Sequence, residues 1–343
     1  MRALVTGGGG FVGKAVVKQL LERGHEALAF QRGAYPELEA MGTRCVRGDL
    51  TKLDDVVEAC AGVDVVFHVA AKTGFAGAPS EFEAINIGGT DNVIEACLRN
   101  GVGRLVYCSS PSVTLDGNDH KGADESVPYA TSFLAHYPRT KAEGEKRALA
   151  ANGKAGEGGK VLHTCALRPH LIFGPGDEHL MPRLIQRAKS GKLKIIGDGT
   201  NEVDWTYVDN VAHAHLLAAD ALLEGEKRPA GKPYFITNGE PVRAWEWFNG
   251  ILEELGIPKL NKKVPLSVAR FVGKSFDATW KTFGMKGEPP LTEFAAVQVA
   301  TTHTYSIENA KRDFGYAPVV SLEEAVKRTV PWLKEQMAAG RFG

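Results

Sequence analysis

A phenol and an ammonium stand four residues apart in Tyr137-Pro138-Arg139-Thr140-Lys141. On a helix that spacing puts both on one face. A free tyrosine titrates near pH ~10 and is a poor acid–base group at neutrality. A neighbouring Lys⁺, joined by a positively charged ligand, favours the phenolate and lowers that pKa. Tyr137 can then give a proton to a carbonyl oxygen or take one from an alcohol. Ser109-Ser110 ends the apolar run Arg104–Ser109, and strand ends of this kind are where α/β proteins place ligands. Ser110 is expected to bond the substrate oxygen and Ser109 to face a cofactor. Pro111 restricts the backbone at Ser110.

A second constellation is Thr6-Gly7-Gly8-Gly9-Gly10-Phe11-Val12-Gly13. Gly8, Gly10 and Gly13 fit GxGxxG, and Gly7, Gly10 and Gly13 fit GxxGxxG. The loop lies between an apolar run and an amphipathic stretch, the setting in which it holds a dinucleotide pyrophosphate at a helix N-terminus. Gly8 to Lys14 also opens like a P-loop, but Ala15 has no hydroxyl for Mg²⁺. After the second run the chain reads Phe30-Gln31-Arg32-Gly33, with no acid to select a free ribose hydroxyl. Arg32 suits a 2′-phosphate, so NADP(H) is favoured over NAD(H). The alternative is a solvated loop arginine. Asp49, before Leu50, either accepts from the adenine or caps a helix. His68-Val69-Ala70-Ala71 closes the fourth run with small residues that admit a ligand. The expected cofactor contacts are Thr6, Gly7, Gly10, Phe11, Val12, Gly13, Arg32, Asp49, Leu50, Ala70, Ala71, Lys72, Ser109, Tyr137 and Lys141.

These residues need a frame. Short β-branched runs at 3–6, 27–31, 43–47, 63–69, 104–109 and 161–167 alternate with amphipathic stretches at 12–23, 53–61, 82–99 and 132–151. The alternation predicts an α/β fold: a Rossmann-type, doubly wound parallel sheet buried on both faces. After Gly174-Pro175-Gly176-Asp177 the pattern turns helical. We expect a dinucleotide-binding domain over 1–174 and a smaller mixed α/β substrate domain over 175–343, with about 204–238 returning to the first sheet.

The chain has 343 residues, with 41 basic against 41 acidic side chains. That balance offers no charge field for nucleic acid. Five cysteines without a CxxC pair suit reduced thiols, and with no signal-peptide pattern at Met1–Thr6 a cytoplasmic enzyme is expected. The ten histidines show no metal-ligand spacing.

Taken together, the glycine loop and Ser110, Tyr137 and Lys141 resemble the extended short-chain dehydrogenase/reductase superfamily over nearly the whole chain. In Asn86-Ile87-Gly88-Gly89-Thr90, Asn86 matches the superfamily's central-helix asparagine, which supports the lysine through water. Leu167-Arg168-Pro169-His170-Leu171-Ile172-Phe173-Gly174-Pro175, Asp204–Val211 and Thr237–Pro241 resemble the 3β-hydroxysteroid dehydrogenase family. Arg32–Leu38 and Gly174–Leu180 are similar to its bacterial 2-alkyl-3-oxoalkanoate reductases of olefin biosynthesis. The resemblance implies reduction of a β-keto acid with NADPH, cofactor contacts at Arg168 and Pro169, and a homodimer formed through helices 82–99 and 132–151.

Lys72, Ser110, His170, His179 and Arg183 are candidate substrate contacts, with Lys72, His179 and Arg183 suited to a carboxylate or, individually, to plain surface charge. Leu266–Phe283 carries Val268, Phe271, Val272, Phe276, Trp280 and Phe283 at helical spacing. It reads as a helix packed on the second domain, or as an apolar lid touching a membrane surface. Three functions compete: an NADP(H)-dependent oxidoreductase of a hydrophobic 3-oxo or 3-hydroxy compound (a β-keto acid or a 3β-hydroxysterol), a nucleotide-sugar epimerase, and a non-catalytic NADP sensor. His179-Leu180-Met181-Pro182, where epimerases carry Asn-Leu-x-Pro, argues against the second.

Overall fold

The computed structural model describes residues 1–74, 77–223, 228–283, 285 and 287–341; residues 75 and 76 of the 72–80 loop lie outside that set. Seven parallel strands form the central sheet: β1 (Arg2–Thr6), β2 (Glu26–Gln31), β3 (Arg44–Arg47), β4 (Val65–His68), β5 (Arg104–Cys108), β6 (His163–Pro169) and β7 (Pro233–Ile236). Their spatial order is β7-β6-β5-β4-β1-β2-β3. This is the doubly wound sheet that the alternating pattern predicts. The order reverses between β1 and β4, and ligands in such sheets bind at that crevice.

Successive strand residues point to opposite faces. Ala3, Val5, Ala27 and Ala29 pack with helices Phe11–Glu22 and Val208–Ala221. Leu4, Leu28 and Phe30 pack on the other side, against Val56, Val93 and Cys97. Both faces are buried, which is why the strands read as unbroken apolar runs.

The two halves of the chain exchange elements. Strand β7 and helix Val208–Ala221 come from the second half and complete the first sheet and its cover. In return His120–Ala123 joins a four-stranded sheet with His303–Tyr305, Glu202–Val203 and Val242–Arg243. The stretch 82–99 is not one regular helix. An α-turn (Pro79–Phe82) runs into a π-helical turn (Glu83–Gly88) and then α-helix (Gly89–Arg99).

Leu266–Phe283 is an 18-residue helix that buries only Ala269 and Gly273. Phe276 and Trp280 are half-buried, whereas Val268, Phe271, Val272 and Phe283 are exposed. The packing alternative therefore accounts for one face of this helix and not for its outer apolar residues. Among the described residues no helix is long and apolar enough to cross a membrane.

Four histidines are buried in neutral form. Burial, the main cause in each, pushes His68 and His170 down to about 3 and His215 and His303 down to about 4. Unfolded histidines titrate near ~6.5, so below that pH the unfolded chain binds protons that the folded chain refuses. Stability is therefore lost as pH falls, by roughly 1.4 kcal/mol per histidine per pH unit. Asp204, raised to about 6 by burial, opposes this with a single proton. We expect urea-unfolding stability to be level above about pH 7 and to fall steeply towards about pH 4.5. A flat profile would contradict the burial of neutral imidazoles.

Candidate active site

The glycine loop leaves β1 and enters helix Phe11–Glu22. Gly7 has φ 70°, a left-handed conformation that glycine adopts without steric cost, and a Cβ there would come within 2.9 Å of the Ala70 backbone. At Gly13 a Cβ would collide with the Gly7 carbonyl, and at Gly9 with the Tyr35 ring. The loop is closed by the Gly10 N–H donating to Gly7 O at 2.9 Å. No side chain caps the helix, so its first turn faces the cavity wall formed by Gly10, Phe11, Val12 and Gly13. Side-chain-free backbone at a positive helix end fits a dinucleotide pyrophosphate.

The cavity encloses about 1310 Å³ along the carboxyl ends of the central strands. Arg32, Asp49 and Leu50 line it beyond β2 and β3; Ala70, Ala71 and Lys72 beyond β4; Ser109 and Ser110 beyond β5; Pro169 and Leu171 beyond β6. Arg32 is exposed, and its carbonyl accepts from Arg47 Nε at 2.9 Å. Asp49 Oδ1 accepts from the Thr51 N–H and hydroxyl, both at 2.9 Å, which holds its pKa below the ordinary carboxylate value. Asp49 thus closes a local turn while still bordering the cavity.

Tyr137 and Lys141 lie on helix His136–Ala150 and both line the cavity. Lys141 Nζ donates to Cys108 O at 2.7 Å and sits 4.0 Å from the Tyr107 ring centroid. Burial brings its pKa down to about 8. Tyr137 is half-buried and shares the cavity wall with Ser110, whose hydroxyl acts to lower the phenol's pKa against the larger effect of burial. Burial, not Lys141, sets the direction of the Tyr137 shift. Burial pushes the phenol up to about 12, and the Lys141 ammonium is turned to the Cys108 carbonyl instead. The Ser110 hydroxyl also accepts from the Ser112 N–H at 3.2 Å, which fixes its rotamer.

Four expected site residues stand behind the cavity wall. Thr6 Oγ1 bonds His68 Nδ1 at 2.8 Å and accepts from the Ala70 N–H, bracing the strand ends. Asn86, in the π-turn, spans both backbone groups of Lys72 and donates to Thr140 Oγ1 at 2.9 Å. It orders the loop after β4 and the catalytic helix without reaching the site. Arg168 is 2% exposed and gives Nε and Nη2 to the Glu145 carboxylate, so its side chain is turned away from the cavity. The His170 side chain likewise lies behind the wall: it is 3% exposed and packed on His303 and Tyr305. Burial of the strand end, invisible in the segment itself, decides both.

Lys72, His179 and Arg183 do reach the cavity. Lys72 is paired with Glu81 at 2.9 Å and Arg183 with Glu288, another lining residue. Asp177 accepts from the N–H groups of His179, Leu180 and Met181 and so anchors the helix that carries Arg183.

Three site residues escape sequence reading. Tyr35 walls the glycine loop, and Glu288 arrives from far along the chain; no local pattern marks either. Glu145 had a signal: with Tyr137 and Lys141 it recurs every fourth residue on one helix face. Its carboxylate accepts from Ser109 Oγ and from Tyr129 OH at 2.7 Å besides holding Arg168.

Comparison with known proteins gives the family of the chain. Residues 4–267 match the 3-beta hydroxysteroid dehydrogenase/isomerase family. The chain is 50% identical to the 2-alkyl-3-oxoalkanoate reductase of Stenotrophomonas maltophilia, over 96% of this chain and 98% of that one. It is 39% identical to 3beta-hydroxysteroid-dehydrogenase/decarboxylase isoform 1 of Arabidopsis thaliana, over 95% and 78% of the two chains. Among solved structures, MoeE5 in complex with UDP-glucose and NAD superposes with a TM-score of 0.72 at 26% identity, covering 98% of this chain and 100% of that one. A cradle for a nicotinamide dinucleotide beside a Ser–Tyr–Lys set is the apparatus of an oxidoreductase acting on CH–OH groups, and the chain belongs to the 3-beta hydroxysteroid dehydrogenase/isomerase family.

Proposed function

We propose that this enzyme reduces the 3-oxo group of a hydrophobic β-keto acid, a 2-alkyl-3-oxoalkanoate, with NADPH. The observation that carries the reading is the full-length, 50% identical relative of that name, joined to a site whose acid is held protonated. Fold alone does not decide the substrate, because MoeE5 was solved with a sugar nucleotide on the same architecture.

The bound nicotinamide supplies the hydride. The chain's own residues handle the oxygen. Ser110 donates to the substrate carbonyl oxygen and positions it beside the Tyr137 hydroxyl. Tyr137, with its proton held to about pH 12 by burial, gives that proton to the oxygen as negative charge builds there. The Lys141 ammonium lines the same cavity and, released from the Cys108 carbonyl, stabilises the phenolate left behind. The protonated resting phenol suits reduction at neutral pH, whereas oxidation first requires its deprotonation.

Lys72, His179 and Arg183 supply positive charge and donors for a substrate carboxylate, which would exchange with Glu81 or Glu288. Arg32 at the β2 end, with no acid beside it in Gln31-Arg32-Gly33, supports the 2′-phosphate form of the cofactor.

The test is dinucleotide oxidation at 340 nm (a property of the reduced nicotinamide) across β-keto acids, 3-oxosteroids and UDP-4-keto sugars. We expect kcat/KM highest for long-chain 2-alkyl-3-oxoalkanoates and at least about tenfold better with NADPH than NADH, a preference that Arg32→Ala should erase. Turnover confined to steroids would move the assignment to the sterol branch. Retained cofactor with no net oxidation would point to an epimerase.

A further inference from the structure

We propose that the helix Leu266–Phe283 docks this enzyme on an anionic lipid surface, with the mouth of the cavity at the interface. The helix lies on the protein through Ala269 and Gly273, with Phe276, Asp277 and Trp280 half-buried beside them. A Cβ at Gly273 would come within 2.6 Å of the Thr292–Glu293 backbone, so that face is in close contact with the chain. Arg270 pairs with Glu293 at 2.8 Å, and Asp277 accepts from the Glu293 N–H at 2.9 Å.

The outward face is different. At about 100° per residue, a continuous arc of about 160° on the side away from Gly273, bordered at one edge by Lys274 and ending at the other with Phe283 nearer the packed side, holds Ser267, Val268, Phe271, Val272, Ser275, Ala278, Thr279, Thr282 and Phe283. None of them carries a charge. Phe271 is 74% exposed and Phe283 75%, and Met285 is exposed just past the helix end. Ser275 and Thr279 return their hydroxyls to Phe271 O and Ser275 O, both at 2.8 Å, so this face presents few free polar groups. A water-facing helix face normally carries charges, whereas an uncharged arc with two protruding phenylalanines suits the headgroup–acyl boundary.

The surrounding charge selects the lipid. Lys274 and Lys281 lie along one flank of the arc, beside the Glu293-paired Arg270, and Lys262 is exposed just before the helix, next to Lys263, whose Nζ donates to Asp198 O. The only acid within the helix is Asp277, on the packed side. Basic residues bordering an apolar face match an anionic bilayer, and a neutral protein face would leave them unmatched. The helix also borders the site. Its Trp280 Nε1 donates to Gly287 O, next to the cavity-lining Glu288, and Lys281 lies close enough to His136 to lower its pKa, burial acting first. Docking here would let an apolar substrate pass from lipid to cavity with little exposure to water.

This inference is independent of the substrate reading, because its test is binding. The full-length protein is floated with vesicles of phosphatidylcholine alone and of phosphatidylcholine with an equal amount of phosphatidylglycerol. We expect at least about tenfold tighter binding to the anionic vesicles, weakened by salt. The double variant Phe271→Glu, Phe283→Glu should lose that binding by at least about tenfold, and Lys274→Glu with Lys281→Glu should remove the anionic preference. Both pairs of side chains point away from the core, so melting temperature checks that each variant is folded. Absence of parent binding to either vesicle, equal binding to both, or unaltered binding by the glutamate variants would overturn the proposal. So would sedimentation showing that Phe271→Glu, Phe283→Glu dissociates a dimer of the parent, which would assign the face to a second copy of the chain.

Discussion

Tyr137→Phe should lower kcat about a thousandfold while leaving dinucleotide affinity within about twofold of the parent. The change removes one oxygen from a residue whose ring still lines the cavity. The glycine loop, Arg32 and Lys141 remain, so cofactor binding persists. What disappears is the proton that must reach the carbonyl oxygen as the new C–H bond forms. Ser110 keeps its bond from the Ser112 N–H and loses only a hydroxyl that shares its cavity wall. A single lost hydrogen bond costs about 1 kcal/mol, so the melting temperature should move by only a few degrees. The two readouts are kcat in the reductive direction and dinucleotide affinity from quenching of tryptophan fluorescence. Near-normal turnover in Tyr137→Phe would remove the phenol from the chemistry, and weakened cofactor binding alone would make its role positional.

Glu145→Ala should be the most destabilising single change near the site, at roughly 3–5 kcal/mol. Glu145 is wholly buried, and Arg168, at 2% exposed, gives it Nε and Nη2. The guanidinium also lies 5.4 Å from the Tyr129 ring centroid and 5.2 Å from that of Phe235. The intact pair contributes little net stability, because two charges were taken out of water to form it. Removing the carboxylate leaves Arg168 charged and buried, and leaves Ser109 and Tyr129 without their acceptor. We expect a fall in melting temperature of roughly 5–15 °C. Adding Arg168→Met to Glu145→Ala should recover part of that loss, since the orphaned charge goes with it. A Glu145→Ala protein that melts with the parent would mean that water reaches Arg168 and that the site is not closed behind Ser109.

The Glu145–Arg168 pair shows how the site divides between pattern and packing. The glycine loop and the Tyr137–Lys141 spacing were readable because each works through local geometry: a tight turn that excludes a Cβ, and one face of one helix. Glu145 lies on that same face and was within reach of the same argument. Arg168 was not. In Leu167-Arg168-Pro169-His170 nothing local distinguishes a side chain that meets a ligand from one turned into the core. Glu145 closes over Arg168 from 23 residues away, and His303 and Tyr305 close over His170 from 133 and 135 residues away, which makes that distinction.

By itself, the sequence determined a parallel sheet with both faces buried, a glycine turn after its first strand and the shared helix of Tyr137 and Lys141. Periodicity and short-range spacing carry that information. Tertiary structure alone decided where charge is tolerated. It turned the Lys141 ammonium to the Cys108 carbonyl and raised the phenol by enclosing it. It matched Lys72 and Arg183 with Glu81 and Glu288. It also left Phe271 and Phe283 facing outward on a helix whose apolar spacing reads either as packing or as a lid. The physical reason is common to all of these. Desolvation and ion pairing depend on which distant segments close over a side chain, and helical spacing fixes a face without saying what that face meets.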